Sequence, residues 1–497
     1  MFTIQLQSGN LLLLLAILVI VAVMSQKLGS RFGVPSMLLV LIIGMAAGND
    51  GFGLQLTNLH MAEFLCHLAI AIILITGGLH TDMKETKPVL RQGALLSTLG
   101  VILTVALTGA FIYFVSGRGV NGTRLSVFAS LLVAAILSST DSTSVFSILH
   151  SRKLHLRENL GPLIELESGS NDPMAYILTI LLTGIITGGG EFISSFPSEG
   201  VMAAFSLLVF LYQAAMGLLL GRLFGRFGAW LIQKINPGSA PLVSILTLSV
   251  AFLTDGISTI LGASGLLAMY VAAIRIGNSG KLPEKREVLK FFDGISWLAQ
   301  LLMVLILGLL ANPSNLPRVI VPALLIGLFM MFVARPASVF LTLLPFKKLP
   351  VRAKMLVSWV GLKGAGPILF ALYAVVHNVE QAGFIFDVVV VVTILSLTIQ
   401  GMTLPAVAKK LNLIMDEDPE VENFGLDLPE EMGMLRDHIV GPGELQEGAD
   451  TLRDMHLPHG IRVMMVRRDG KFLVPHGSMK LETGDHLLIV MGDTDDE

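Results

Sequence analysis

The strongest constraint on the fold of this sequence is a succession of long apolar stretches. Thirteen stretches of about 15 to 30 residues fill residues 1–410, and a helix that spans a bilayer needs about 20 apolar residues. Only 14% of the 497 residues are charged, against roughly 25% in an ordinary soluble domain. The sequence therefore predicts an all-α polytopic membrane protein with a small additional domain at its C-terminal end, and it excludes a water-soluble enzyme.

Each apolar stretch predicts one transmembrane helix. Residues 11–24 lack the basic segment and the small-residue cleavage site of a secretory signal, so they are interpreted as the first helix. The predicted spans are residues 11–24, 35–48, 61–79, 90–115, 125–149, 160–187, 201–233, 241–256, 258–276, 291–310, 319–344, 353–376 and 383–408. An odd number of spans places the two termini on opposite sides of the membrane.

Basic residues in the loops between the spans predict the orientation. Alternate loops carry 22 Lys and Arg residues on one side and only 3 on the other, namely Arg118, Arg124 and Arg318. Loops rich in Lys and Arg stay in the cytoplasm. The N-terminus is therefore predicted to lie outside and the C-terminus in the cytoplasm.

Five ionisable residues inside the predicted spans are the main candidates for function. A charged side chain at the centre of a bilayer costs roughly 2.5 to 3.5 kcal/mol on insertion scales. Such residues must be paired, hydrated or bound to a cation. The five residues are Asp141, Glu167, Asp172, Arg335 and Lys363.

Six consecutive hydroxyl or acidic residues, 138–143, interrupt the apolar fifth span. Ser, Thr and Asp side chains compete for backbone hydrogen bonds, so we expect the helix to unwind there. Unwinding frees carbonyl oxygens, and Asp141 adds a carboxylate, so that together they can bind a cation. The alternative is a hydroxyl-rich patch that hydrogen-bonds a neighbouring helix, but this alternative does not explain the acid.

Polar residues at helical spacing open the sixth span. Glu167 and Asn171 are four residues apart, as are Ser168 and Asp172, so each pair lies one turn above the other on a helix face. Pro173 removes one backbone donor beside Asp172. Two neighbouring stripes of this helix therefore present polar groups within the membrane.

Two further charged residues have two interpretations each. Glu165 lies seven residues before Asp172 and is either a solvated entrance residue or a functional one. Arg335 sits far from the ends of its predicted span and needs a carboxylate partner, for which Glu167 is the candidate. Alternatively, the predicted span is too long and Arg335 reaches the cytoplasmic interface.

Residues 361–367, Gly-Leu-Lys-Gly-Ala-Gly-Pro, predict a second broken helix that contains Lys363. Spans five and twelve are seven apart and cross the membrane in opposite directions. Interrupted helices in corresponding antiparallel positions favour an inverted-repeat transporter with its site at the midplane. A cation channel, which does not require that arrangement, is one alternative. An intramembrane aspartyl protease is another, although its Gly-x-Gly-Asp signature does not occur in the sequence.

At these residues the chain resembles the sodium/proton and potassium/proton exchangers of the monovalent cation:proton antiporter family, in particular the cell-volume-regulation, potassium/proton branch. The matching motifs follow the family's order over residues 1–410. They are Ser139-Thr140-Asp141, Val145-Phe146-Ser147, Glu167-Ser168-Gly169-Ser170-Asn171-Asp172-Pro173, Arg335-Pro336 and Trp359-Val360-Gly361-Leu362-Lys363-Gly364. The resemblance implies exchange of potassium, or alternatively sodium, for protons by alternating access. It further implies a homodimer in the bacterial inner membrane, with no cofactor and no nucleic-acid partner.

The resemblance also implies roles for individual residues. Asp172 binds cation and proton in turn, and Glu167 pairs with Arg335 structurally. Asn171 stands where electrogenic relatives carry a second acid, which implies electroneutral one-for-one exchange. Lys363 departs from the arginine usual in the family, and because a buried lysine can lose its proton, the stoichiometry stays open. The predicted ligands of the monovalent cation are Asp172, Asp141, Thr140, Asn171 and Ser168.

The C-terminal part of the chain has the opposite charge balance. Residues 412–497 contain 20 acidic and 7 basic residues. Residues 411–423 are predicted to form an acidic linker, and residues 424–497 a small α+β cytoplasmic domain. The segment Arg468-Asp469-Gly470, Pro475 and residues 481–492 resemble the TrkA C-terminal type of regulatory domain. The resemblance implies dimerisation, either with a small ligand such as a nucleotide between the subunits or without any ligand.

Overall fold

The structure, a computed structural model, describes most of the chain. The described residues are 4–5, 16–17, 19–24, 35–56, 58–117, 124–150, 152, 154–188, 199–280, 282–415, 435–441, 451–453, 461–468 and 471–491. They form two compact units, Met1–Met415 and Asp416–Glu497, and each unit is described by itself. The predicted linker, residues 411–423, lies outside the described residues from position 416 onward.

The first unit is a bundle of helices. Residues 16–17 and 19–24 are helical, and the remainder of the predicted first span lies outside the described residues. Two short strands, β1 (Ile4–Gln5) and β2 (Leu54–Gln55), pair in parallel. The helices are α1 (Ser36–Ala47), α2 (Leu59–His80), α3 (Met83–Gly117), α4 (Val127–Ile136), α5 (Ser142–His150), α6 (Leu160–Ile186), α7 (Glu199–Ile235), α8 (Ala240–Ile260), α9 (Gly265–Gly277), α10 (Lys285–Leu310), α11 (Leu316–Thr342), α12 (Val351–Trp359), α13 (Ala365–Val376) and α14 (Ala382–Lys410).

Helix length and composition agree with a polytopic membrane protein. Within the described residues, seven helices are long and apolar enough to cross a membrane: α2, α3, α7, α8, α10, α11 and α14. Four shorter apolar helices accompany them, α1, α4, α9 and α13. Helix α6 has 27 residues, but it contains three acidic residues. The mostly helical fold is confirmed, while the count of thirteen crossings stays a prediction.

Both helices that the sequence predicts to be broken are interrupted. Residues 137–141 separate α4 from α5 within the hydroxyl-rich stretch, where short polar side chains compete for backbone hydrogen bonds. Residues 360–364 separate α12 from α13. This second break contains Gly361 and Gly364, and glycine weakens a helix by about 1 kcal/mol relative to alanine.

One predicted boundary is wrong. The sequence analysis ended the eighth span at Gly256 and began the ninth at residue 258, but α8 continues to Ile260 and α9 begins at Gly265. The turn contains Gly262 at φ +69°, a left-handed conformation that glycine adopts without strain. Hydropathy does not report backbone conformation, so it does not locate this turn.

Close helix packing surrounds the interior of the bundle. A Cβ atom on Gly221 of α7 would lie 2.5 Å from the carbonyl oxygen of Ala268 on α9. A small residue at such a position lets two helix backbones approach each other. Helix α9 in turn packs against α2, and its Tyr270 is among the largest fully buried side chains of the described residues.

Residues 413–415 extend the first unit beyond α14. The backbone N–H of Arg157 donates to the Leu413 carbonyl at 2.9 Å, and the N–H of Met415 donates to the His155 carbonyl at 2.9 Å. Leu413 is fully buried. This segment, called the strap below, therefore joins the end of α14 to the loop between α5 and α6.

The second unit contains a four-stranded antiparallel sheet. Its strands are β3 (Leu435–Ile439), β4 (Ile461–Arg468), β5 (Lys471–Leu473) and β6 (His486–Met491), in the order β3-β6-β4-β5. A small sheet domain at the C-terminus is thus confirmed. The helical part of the predicted α+β fold is not among the described residues, and neither is the predicted turn at Asp469 and Gly470.

An ion pair joins the end of β4 to the residue before β6, the two central strands of this sheet. Arg468 donates through Nε and Nη2 to the two carboxylate oxygens of Asp485, at 2.8 and 2.7 Å, and the Glu482 backbone N–H donates to Asp485 Oδ2 at 2.8 Å. Burial raises the pKa of the Asp485 carboxyl, but these hydrogen bonds and the Arg468 charge outweigh burial and hold the pKa below its ordinary value.

Candidate functional site

The two chain breaks meet directly. The backbone N–H of Asp141 in the first break donates to the carbonyl oxygen of Leu362 in the second at 2.9 Å. Lys363 Nζ donates to the carbonyl oxygen of Ser139 at 2.9 Å. One backbone and one side-chain hydrogen bond thus join the breaks, and they satisfy groups that unwinding leaves without helical partners. Lys363 is 4% exposed, so its side chain is buried where the two breaks meet.

A π-helical turn of α14, together with the residue before it, hydrogen-bonds to the second break. Residues Leu397–Gly401 form a π-helical turn. Just before it, Ser396 Oγ accepts the Lys363 backbone N–H at 3.0 Å and donates to Gln400 Oε1 at 2.7 Å. Gln400 Nε2 donates to the Trp359 carbonyl oxygen at 2.9 Å. Helix α14 therefore binds both ends of the second break.

Glycine allows the breaks to approach each other this closely. A Cβ atom on Gly364 would lie 2.2 Å from Asp141 Oδ2, and one on Gly366 would lie 2.9 Å from Ser139 Oγ. Helix α5 begins at Ser142, and α13 begins at Ala365. Because these first turns adjoin the acidic side chains, the partial positive charge of both helix N-termini is directed toward the carboxylates.

Asp172 lies beside the first break and faces a cavity. Ser139 Oγ donates to Asp172 Oδ1 at 2.5 Å. The cavity has a volume of about 70 Å³, and one water needs roughly 10 to 15 Å³ of such space, so a few waters or a partly hydrated ion fit. Polar residues that line it are Ser139, Thr140, Asp141, Ser142, Thr143, Glu165, Ser168, Asp172, Tyr270 and Gln300.

Asp141 combines a capping position with a place in the cavity wall. Its Oδ1 accepts the Ser144 backbone N–H at 3.1 Å, and its Oδ2 accepts the Ser144 hydroxyl at 2.6 Å. These are the contacts of a helix cap at the start of α5. A carboxylate oxygen has two acceptor sites, so Asp141 keeps acceptor capacity for an ion.

Thr140 and Ser168 connect the first break to α6. Ser168 Oγ donates to the Thr140 carbonyl oxygen at 2.6 Å and accepts the Ser142 backbone N–H at 2.9 Å. Both residues line the cavity with Asp172. The Ser168 hydroxyl therefore holds the break in place at the wall of the candidate site.

Asn171 lies elsewhere than predicted. It is 0% exposed and is not among the residues that line the cavity. Its Nδ2 donates to Thr140 Oγ1 and, at 3.0 Å, to Glu167 Oε1, while its Oδ1 accepts the Thr140 N–H at 3.3 Å. The sequence analysis made Asn171 an ion ligand, but the structure places it behind the break, as a bridge between the break and Glu167.

Glu167 and Arg335 form a buried ion pair. Arg335 Nη2 donates to Glu167 Oε1 at 2.9 Å, and the two side chains are 5% and 3% exposed. Arg335 directly follows a π-helical turn of α11, Met330–Ala334. The alternative in which Arg335 reaches the membrane interface does not fit this burial. Removing one partner from such a pair costs about 3 to 5 kcal/mol.

Some residues of the site were not singled out from the sequence. Tyr270 of α9 lines the cavity, although it belongs to an otherwise apolar segment and carries no local signal. Ser396 and Gln400 bind the second break from α14, some 40 residues along the chain. Their four-residue spacing on an apolar helix was the one signal that could have found them.

The donor set suits a monovalent cation. Carboxylate, hydroxyl and freed carbonyl oxygens are the groups that bind alkali cations in transporters and channels. Among the described residues, no group of three or more His, Cys, Asp and Glu side chains could hold a metal ion. The site offers oxygen ligands that suit a transported monovalent ion.

Two broken helices that cross beside a carboxylate in a polar cavity define an ion-coupled secondary transporter. Comparison with known proteins identifies the family. The chain belongs to the sodium/hydrogen exchanger family, whose transmembrane domain matches residues 13–410. Residues 450–495 match the TrkA-C domain. The chain is accordingly a transporter and not an enzyme.

Relatives are similar over almost the whole chain. The K(+)/H(+) antiporter NhaP of Alkalimonas amylolytica is 33% identical over 496 residues, which cover 96% of this chain and 80% of the relative. The K(+)/H(+) antiporter NhaP2 of Shewanella oneidensis is 34% identical over 480 residues, with the same two coverages. The structure of the sodium proton antiporter MjNhaP1 from Methanocaldococcus jannaschii at pH 8 matches with a TM-score of 0.68 at 22% identity. That match covers 81% of this chain and 99% of the other, and it shows that the fold is shared.

Proposed function

We propose that this chain is an antiporter that exchanges a monovalent cation for protons, with potassium favoured and sodium as the alternative. Two relatives named K(+)/H(+) antiporters, each matching 96% of the chain, support potassium. The match to the sodium/hydrogen exchanger family over residues 13–410 supports coupling to protons. A cation channel would move the ion without a proton, and an intramembrane protease would need a catalytic pair that no relative suggests.

The observation that carries the proposal is the position of Asp172 in the cavity. Its carboxylate accepts one hydrogen bond from Ser139 and shares the cavity wall with Asp141. Away from bulk water a bare carboxylate charge is disfavoured, so a proton or a cation must neutralise it. Competition of the two for one carboxylate couples their movements. If the unloaded anion does not cross the membrane barrier, exchange is obligatory.

The contact between the two breaks supports a proposal for alternating access. The two breaks are held by the Asp141 to Leu362 and Lys363 to Ser139 hydrogen bonds. We propose that the predicted thirteen spans form inverted repeats and that one bundle rocks against the other around this crossing. The site then opens first to one side and then to the other.

The cellular setting also belongs to the proposal. The distribution of Lys and Arg between loops supports an external N-terminus and a cytoplasmic C-terminus. The family supports a homodimer in a bacterial inner membrane that serves pH and cell-volume homeostasis. The match of residues 450–495 to the TrkA-C domain supports a regulatory role for residues 424–497, through dimerisation either with a small ligand between the subunits or without any ligand.

Reconstituted vesicles test the exchange. We expect potassium to collapse an imposed pH gradient in vesicles that contain the wild-type protein, as read by an internal pH-sensitive dye. Asp172→Asn should lower the rate at least tenfold, because the shared carboxylate is gone. Asp141→Asn should raise the potassium concentration needed for half the maximal rate, because one ligand is lost.

A buried acid outside the cavity provides the control. Asp387 of α14 is 9% exposed and is not among the cavity-lining residues, so Asp387→Asn should retain exchange. Cation-dependent proton flux at the wild-type rate in Asp172→Asn would refute the shared carboxylate. Potassium flux without proton flux would favour the channel instead.

A further inference from the structure

A second acidic residue of α6 lies in the same cavity as Asp172. Glu165 precedes Asp172 by seven residues, which is nearly two helical turns, so both side chains project from one face about 10 Å apart along the axis. Both residues line the same cavity. Asp172 and Asp141 suffice for the exchange described above, so the third carboxylate in the cavity, that of Glu165, calls for its own explanation.

Tyr270 of α9 reaches into the space between these two acids. A Cβ atom on Gly169 would lie 2.6 Å from the Tyr270 hydroxyl oxygen. Gly169 follows Glu165 by four residues and precedes Asp172 by three, so the hydroxyl rests on the α6 backbone between the two carboxylates. A glycine at this position is what allows the tyrosine to approach.

The Tyr270 hydroxyl makes no hydrogen bond of good geometry within the described residues, although the Thr81 and Ser170 side chains lie close enough to interact with it and Tyr270 is only 2% exposed. A buried polar group without a partner costs about 1 to 3 kcal/mol. Tyr270 lines the cavity, so a water or an ion there is a partner that would remove this cost. The orientation of Tyr270 thus points to an occupant of the cavity.

Glu165 is held in place but only partly satisfied. Thr81 Oγ1 lies 3.2 Å from Glu165 Oε1 and 2.8 Å from the Gly77 carbonyl oxygen. One hydroxyl proton serves one acceptor at a time, so Glu165 keeps acceptor capacity. Asn278 Nδ2 donates to the Thr81 carbonyl oxygen at 2.7 Å and thereby fixes Thr81 between α2 and α9.

Other charged groups face Glu165 from the neighbouring helices. His80 of α2 and Glu85 of α3 act on it electrostatically. His80 itself lies 3.3 Å from Asp293 of α10. The acidic residues that line the cavity are Asp141, Glu165 and Asp172, and their carboxylates favour cations over anions.

We propose that Glu165 and Tyr270 form a staging site, where a partly hydrated monovalent cation binds before it moves along α6 to Asp172. The carboxylate of Glu165 and the hydroxyl of Tyr270 supply ligands, and the cavity of about 70 Å³ retains some of the ion's water. The inference rests on the proposed function, because it assumes that the cation is transported through Asp172.

Transport kinetics in vesicles test the staging site. Glu165→Gln should raise the potassium concentration for half-maximal exchange about tenfold, and Tyr270→Phe about threefold, with the maximal rate within twofold of wild type. Loss of a ligand at the staging site weakens the first binding of the ion but leaves the Asp172 carboxylate intact. Glu287→Gln is the matched control, because Glu287 is exposed and bonded to Lys290; it should leave both quantities unchanged.

Tyr270→Phe keeps the test decisive if Glu165→Gln does not fold. It removes a single oxygen that makes no hydrogen bond to the described residues, so we expect it to fold. Half-saturation equal to wild type in Tyr270→Phe and in any folded Glu165 variant would overturn the staging site. A lower maximal rate with unchanged half-saturation would also overturn it.

A binding measurement separates this inference from the proposed function. In Asp172→Asn protein, potassium should still raise the unfolding temperature relative to choline, since a bound ligand stabilises the folded state. Asp172→Asn combined with Glu165→Gln should lose that increase. Equal increases in both proteins, or none in either, would overturn the staging site alone. Wild-type exchange by Asp172→Asn would instead overturn the proposed function.

Discussion

At the scale of single residues, the close approach of the two helix breaks depends on glycines, which have no side chain, as much as on charged residues. The Cβ position of Gly364 is 2.2 Å from Asp141 Oδ2, closer than real Cβ contacts come. Any side chain there must displace Asp141. Because Asp141 also accepts both the backbone and the hydroxyl hydrogen bonds of Ser144, the start of α5 would move with it.

Gly364→Ala is therefore expected to lower the exchange rate at least tenfold. Overpacking of this kind also destabilises a protein by about 1 to 3 kcal/mol. Gly184→Ala on α6 is the matched control, because a Cβ atom there meets nothing within 4 Å. Proton flux in vesicles and unfolding in detergent measure the two effects. Equal behaviour of the two variants would contradict the close approach.

Single residues also show how far the site could be predicted from the sequence. Asp172 stood out because a buried charge on an apolar helix is costly wherever the helix packs. Asn171 could not be placed in the same way. Its spacing from Glu167 fixes the stripe that they share, but the rotation of α6 in the bundle decides which stripe faces the cavity. That rotation depends on tertiary packing, and so does the position of Tyr270 of α9 at the cavity.

At the scale of elements, both helix breaks could be predicted because their cause is local. Hydroxyl side chains in residues 138–143 and glycines in residues 361–366 weaken a helix whatever surrounds it. The boundary between α8 and α9 was misplaced because hydropathy does not report the left-handed turn at Gly262.

The strap formed by residues 413–415 leads to a prediction about truncated chains. A chain that ends at residue 415 keeps the strap's hydrogen bonds to the loop between α5 and α6. A chain that ends at residue 410 loses them together with buried Leu413, whose burial alone contributes about 1.5 to 3 kcal/mol. We expect the shorter chain to unfold at a lower temperature in detergent than the longer one. Equal unfolding temperatures would show that the strap does not stabilise the first unit.

At the scale of the whole molecule, the charge moved in each cycle is the property to measure. One cation and one proton that alternate on Asp172 move no net charge. We therefore expect the rate of potassium-dependent proton flux to be independent of a membrane potential imposed with a thiocyanate gradient. A rate that changes with the sign of the potential would contradict one-for-one exchange and would direct attention to Lys363.

The same whole-molecule view defines the limits of sequence reasoning. The division of the chain by charge, with 20 acidic and 7 basic residues in residues 412–497, is visible without a structure because it is a property of composition. The contact between the two breaks is not visible in the sequence. Asp141 and Leu362 are more than 200 positions apart, and no local pattern reports a backbone hydrogen bond between them.

The wide turn of α14 at Leu397–Gly401 suggests how the second break could be released. A π turn accommodates one residue more than the regular helix around it. If that surplus residue were passed along α14, everything on one side would rotate by about 100°, the angle per residue of an α-helix. Gln400 would then move away from the Trp359 carbonyl, and the hydrogen bond between them would be lost. The residues that hold the second break would also be the residues that release it.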